Sequence, residues 1–457
     1  MIHHFRLALV PAFLMLCLVL GGASAAGIWA NMILQLIAVA IILWAALAQR
    51  NTPMSSAARR LMGIFLLMVL LIGAQLVPLP PALWTALPGR QEAVDGFALL
   101  GQPLPWMPIS LAPYRTISSA LWLLPAAAIF LGIIRLGGFK AGWLAWTIAV
   151  ATIVSVAIGA LQRAGGAQSS LYFYNITNWG SATGFFSNSN HMATLLVVVT
   201  PFLTAIYMGG RGKNHSVQRS SGLFVVLAGV MAVVLVGLAV NGSIAGLGLA
   251  VPVFAASVLM ILSRSKKIPL WAIPLVAVLT VGSIMVSLSA PFANNLTTAT
   301  AKTAEGSRYI SFTQSLDAAG DFMPLGSGIG TFREIYAGRE DPTVVTNTYE
   351  NHVHSDFIEL ALETGVAGLL LILIFLGWWI GRTISIWRAD DADHYARAAT
   401  IASAAILAHS LVDYPLRTAA VSAIFAMCCA LMAEPRARVR RGKAPPIEKQ
   451  ARHLSAD

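Results

Sequence analysis

The chain has 457 residues, of which 57% are hydrophobic and 11% charged, with 30 Lys and Arg against 19 Asp and Glu. Soluble domains are about a quarter charged, so this composition excludes an ordinary soluble enzyme and predicts an all-α polytopic membrane protein. The net charge of +11 does not point to nucleic acid, because the basic residues flank apolar runs and crowd into Arg436, Arg438, Arg440 and Arg441, a juxtamembrane pattern suited to anionic lipid headgroups.

Apolar runs of the ~20 residues that span a bilayer recur from end to end. They are predicted at 7–25, 28–48, 61–78, 116–136, 141–161, 190–209, 221–240, 243–263, 268–290, 357–381, 398–413 and 416–433. That makes about twelve transmembrane helices in one membrane domain over 1–457, with the last two forming a hairpin at Asp413-Tyr414-Pro415. With the N-terminus inside, 22 of the 30 basic residues and 6 of the 19 acidic ones fall on the cytoplasmic face, against 8 basic and 13 acidic outside. This positive-inside asymmetry sets the orientation, with a basic cytoplasmic tail at 434–457. The first helix, although followed by Ala23-Ser24-Ala25, is read as uncleaved. Cys17, Cys428 and Cys429 lie in spanning segments without metal-ligand spacing and are read as packing residues.

Three outer segments interrupt the helices. Residues 79–115 are Pro-rich with Trp84 and Trp106, which predicts a stiff excursion along the membrane interface. Residues 162–189 form an aromatic, amide-rich loop. The longest, 291–356, is expected to be a helical loop between the ninth and tenth spans. In it Ser307 reads as the N-cap of an amphipathic helix, Pro324 to Gly330 as a turn-rich break, and Thr331 to Arg339 as a second short helix.

The outer face also holds the chemistry-bearing side chains. These are His352 and His354, the carboxylates Asp356, Glu359 and Glu363, and Arg115, Arg163, Arg308, Arg333 and Arg339. Arginine's planar fork suits phosphate oxygens, and imidazole is the usual general base near neutrality. Such a set fits a reaction on a lipid-linked pyrophosphate. The blander expectations are that Glu359 and Glu363 are solvated or paired, that Asp413 and Arg417 form a structural ion pair, and that His409 is a packing histidine. There is no GxxxxGK[ST] loop and no HExxH, so ATP-driven transport and zinc proteolysis lose their usual signatures.

Several stretches, taken together, resemble the O-antigen ligase family and its related polymerases. His354-Ser355, nine residues, then Gly365-Val366-Ala367-Gly368 fits H-[NSQ]-x9-G-x-x-G. Gly184 to Ala193 is similar to G-x-F-x-N-x-N-x-x-A, Pro324 to Phe332 to P-x-x-G-x-G-x-G-x-F, and His409 to Pro415 to H-S-x-x-D-x-P. The resemblance implies His354 as catalytic base and Arg308 as pyrophosphate clamp, with Arg115, Arg163, Arg333, Asn188 and Asn190 as further substrate-binding candidates and His352 only shaping the loop. One departure stands out: Ile244 occupies the position where the family often has a phosphate-binding arginine, so another arginine would have to fill that role.

The expectation is thus a bacterial inner-membrane glycosyltransferase working on the periplasmic face, without metal or other cofactor. It would move a glycan from an undecaprenyl pyrophosphate carrier to a hydroxyl of lipid A–core, or of a growing O-antigen or exopolysaccharide chain if it is a polymerase. The rival is a polysaccharide or lipid transporter or flippase, which would need polar helix centres or broken helices in two symmetric halves. A non-catalytic assembly factor keeping the same fold is the third possibility.

Overall fold

The computed structural model describes residues 2–24, 28–48, 53–137, 139–210, 217–263, 271–288, 300–340, 350–389 and 393–434. The tail from 435 onward, Ala25, and residues 291–299 and 341–349 of the long loop lie outside the described residues, as do the side chains of 300–310.

Among the described residues the chain is helical, with one two-stranded ribbon. The helices are α1 (Ile2–Leu20), α2 (Trp29–Leu47), α3 (Ser56–Gln75), α4 (Pro81–Trp84), α5 (Gln91–Leu99), α6 (Pro113–Leu121), α7 (Leu123–Leu136), α8 (Ala141–Gly165) and α9 (Ser189–Gly210). There follow α10 (Val217–Asn241), α11 (Ile244–Leu262), α12 (Ala272–Leu288), α13 (Thr300–Asp321), α14 (Phe332–Ala337), α15 (Asp356–Arg388), α16 (His394–His409) and α17 (Ala419–Ala433). Among the described residues eight helices, counting α6 and α7 as one, are long and apolar enough to cross a membrane, and three shorter apolar helices are Arg6–Leu20, Pro274–Met285 and Ala419–Ala433. This is a multi-pass membrane protein.

The core explains the packing order. α9 is apolar around its whole circumference and is the most buried span, packed against α8, α10, α11 and α16. Small residues let the helices close: a Cβ on Gly246 of α11 would stand 2.5 Å from that of Ala193 on α9, so only glycine permits this approach. Cys17, Cys428 and Cys429 are buried among the helices, as their reading as packing residues requires.

Hydrogen bonds tie described parts of the outer segments to one another and to the chain after α1. Ser187 N–H donates to the Gly22 carbonyl at the end of α1, and Ala420 N–H to that of Gly21. The Asn351 amide reaches Ser24, and Leu111 N–H donates to Ser327 O.

Two expectations are corrected here, the cap at Ser307 and the interfacial place of Trp84. Helix α13 begins at Thr300, so Ser307 lies inside it and does not cap it. The 79–115 excursion is folded: β1 (Pro78–Leu79) pairs antiparallel with β2 (Met107–Pro108), enclosing α4 and α5. Within it Trp84 is buried, its indole N–H donating to Pro105 O at 2.8 Å, while Trp106 is exposed. The expected second short helix appears as α14, preceded by Thr331.

Candidate functional site

The site is built around a break in α15. Its first turns, Asp356 to Thr364, end at Gly365, whose φ of 59° and ψ of −146° no helix allows. The break leaves carbonyls free, and the glycine-rich segment uses them: Ser327 N–H donates to Leu362 O and Gly328 N–H to Glu363 O, both at 3.0 Å. Val366 N–H in turn donates to Pro324 O at 2.8 Å. A Cβ on Gly365 would stand 2.1 Å from the Pro324 carbonyl oxygen, and one on Gly326 2.6 Å from Glu363 backbone. Hence the glycines of both motifs are required by one tight crossing of backbones. Gln75 seals it, donating to Glu363 O and accepting from Ile329 N–H.

The stub of α15 carries Asp356, Glu359 and Glu363, and all three converge on Arg417. This arginine sits on the 3-10 turn Pro415–Arg417, with Nε 3.4 Å from Asp356 Oδ1, Nη1 3.2 Å from Glu359 Oε1 and Nη2 3.2 Å from Glu363 Oε2. Burial works against the Arg417 cation, but Glu359, Glu363 and Asp356 outweigh it and hold its pKa well above the usual value. Glu363 Oε1 also accepts from Gly330 N–H at 2.7 Å, and Asp356 Oδ2 from the Ser410 hydroxyl at 2.8 Å. Arg417 was expected to pair with Asp413; it pairs with α15 instead, and Glu359 and Glu363 are buried and paired, not solvated.

Asp413 faces a different set of groups. Its Oδ1 lies 3.6 Å from His354 Nδ1 and 3.8 Å from His191 Nε2, and Asn190 Nδ2 donates to its Oδ2. Burial raises its pKa, yet the facing imidazoles, His354 first, pull it back below the ordinary carboxylate range. Asn190 also accepts from Ser243, the N-cap of α11, and His409 shares a hydrogen bond with Thr194 at 2.8 Å. Asn188 caps α9 by accepting from Asn190 N–H and hydrogen-bonds Tyr414.

Tyr414 divides the two clusters. Its ring stands 4.8 Å from that of His352, 5.3 Å from His354 and 5.0 Å from His191. On the His352 side opens a cavity of about 380 Å3. Its lining combines Arg115, Arg333, His352, Glu359, Glu363 and Arg417 with apolar Met68, Ile72, Trp122 and Leu123. Arg115 is held by Glu334, Nε to Oε1 at 2.8 Å.

Of the candidates from sequence, Arg115 and Arg333 are brought to this cavity. His354 stands beside it across Tyr414, its Nε2 3.8 Å from Glu350. Asn188 and Asn190 support the Asp413 cluster. Arg163 does not line the cavity; it donates to Gly180 O at 2.7 Å. Arg308 lies on α13, and its side chain is outside the described residues. Ile244 opens α11 away from the cavity lining, so the arginines found there, Arg115, Arg333 and Arg417, come from other elements.

Residues 223–373 match the O-antigen ligase family. The match covers about a third of the chain. The matched segment runs from α10 into the middle of α15 and holds Arg308, the glycine crossing, Arg333, His352, His354, Glu359 and Glu363. The residues that complete the site, Asn190, Asp413, Tyr414 and Arg417, lie outside the matched segment and reach it through the fold. No curated protein matches the chain.

Proposed function

We propose that the protein is a membrane glycosyltransferase of the O-antigen ligase type, moving a glycan from an undecaprenyl pyrophosphate donor to an acceptor hydroxyl on the periplasmic face of the bacterial inner membrane. The observation that carries this reading is the cavity whose lining joins arginines and an imidazole to apolar side chains, with Arg333 and His352 supplied by the segment that matches the O-antigen ligase family. Arg115 and Arg333 bind the pyrophosphate as bidentate donors, and the apolar wall takes the first part of the polyprenyl chain.

His354 takes the proton of the attacking hydroxyl, with Asp413 behind its Nδ1 as orienting carboxylate. Displacement is in line and inverts the anomeric carbon. With lipid A–core as acceptor the enzyme is a ligase; with the terminal sugar of a growing chain the same chemistry is polymerisation.

The test is transfer from a lipid-linked glycan in membrane vesicles at matched expression. His354→Ala lowers transfer by ~10²–10⁴, the range of a positioned general base. Full activity in that variant would remove His354 from the chemistry. Movement of the lipid-linked glycan across vesicles without transfer would replace the reading with a flippase.

A further inference from the structure

His352 is the imidazole on the cavity wall, and its setting differs from that of His354. Its Nδ1 lies 2.8 Å from Glu359 Oε1, whereas His354 stands 3.6 Å from its carboxylate. Glu359 is buried, accepts Val353 N–H through its other oxygen at 3.1 Å, and is anchored by Arg417. A carboxylate only accepts, so the proton of this bond belongs to His352 Nδ1, and Nε2 is the atom left for other work. That Nε2 is buried and meets no hydrogen-bond partner among the described residues. An imidazole with one nitrogen fixed and the other unmet, in a wall shared with Arg115 and Arg333, is built for a ligand atom.

We infer that His352, seated on Glu359, is a second catalytic residue that donates its Nε2–H to an anionic oxygen in the cavity, which on the function proposed above is the leaving pyrophosphate. Arg115 and Arg333 share the lining with His352 and supply positive charge for the anion, and Glu359 supplies the countercharge to a ring that donates from both nitrogens. In the transfer step the acceptor oxygen forms its bond to the anomeric carbon as the bond from that carbon to the pyrophosphate oxygen breaks. The electron pair goes to that oxygen, where His352 meets it, and the hydroxyl proton goes to His354. The two imidazoles thus serve opposite ends of one displacement, with Tyr414 between them.

Binding of inorganic pyrophosphate to the purified full chain in detergent tests the inference apart from turnover. Wild type binds it, His352→Ala and His352→Asn weaken binding by about tenfold to a hundredfold and about threefold, respectively, and His354→Ala leaves it within about twofold, in line with one charge-assisted hydrogen bond. The Asn variant keeps an N–H donor, so partial rescue separates hydrogen bonding from damage to the loop. Unchanged binding in His352→Ala, or no pyrophosphate binding by wild type, overturns the inference. Transfer measured on the same preparations keeps the two readings apart. Absence of transfer by wild type counts against the glycosyltransferase, whereas transfer by wild type with unaltered pyrophosphate binding in His352→Ala counts only against His352.

Discussion

Replacing Arg417 by Met is the sharpest probe of how the site is held. Methionine keeps the length and apolar stem of the side chain but removes the one cation that Asp356, Glu359 and Glu363 share at 3.2–3.4 Å. Three buried acids then face one another, with His352 still held by Glu359 but no partner common to all three. Breaking a buried pair by deleting one partner costs about 3–5 kcal/mol, most of it from the charge left behind. Denaturant titration of the purified protein in micelles is expected to show a loss of that size. Adding Glu363→Gln to Arg417→Met removes one stranded carboxyl, whose burial already raises its pKa, so the double variant recovers about 0.5–3 kcal/mol relative to the sum of the single changes. Arg417→Lys falls between, because a point-charge ammonium cannot reach three carboxylates at once. Wild-type stability in Arg417→Met, or strict additivity in the double variant, would refute the claim that this arginine organises the cluster.

Two further predictions concern the frame of the site. Gly365→Ala and Gly326→Ala each place a Cβ against backbone, at 2.1 and 2.6 Å, and are expected to cost at least ~2 kcal/mol in the same titration. Gly101→Ala, also at positive φ but with nothing within 4 Å, costs less and is the control; equal losses at all three positions would show that contact at the crossing is irrelevant. For orientation, a reporter active only in the periplasm should work when fused near residue 325 and stay silent when fused after residue 440, and the reverse pattern would invert the bundle.

Much of the fold was legible because bilayer-length apolar runs leave little choice of structure. The lengths of α2, α8 and α9 follow from their apolar content, and the glycine-rich break at 324–330 announced itself by composition. What failed was contact at a distance. Arg417 sits four residues from Asp413, and local spacing favoured that pair. The turn at Pro415–Arg417 instead carries the guanidinium to α15, where three acids outbid one. Trp84 reads as interfacial by type, yet a ribbon of only two residue pairs folds the excursion back and buries it. Tyr414 sat unnoticed inside a matched motif because an aromatic beside a proline carries no chemical signal until three imidazoles are found around its ring. His352 lay outside the motif, and only the position of Glu359, one turn along the next helix, distinguishes it from a loop histidine.

The discontinuity in α15 bears on how the protein sits in its membrane. Helices answer a thicker or thinner bilayer by changing tilt. In α15 the spanning part beyond Gly365 can lean while the stub before it stays tied to Ser327, Gly328 and Gln75. A change of tilt taken up at Gly365 would leave Glu359, Glu363 and the His352 that Glu359 holds in register.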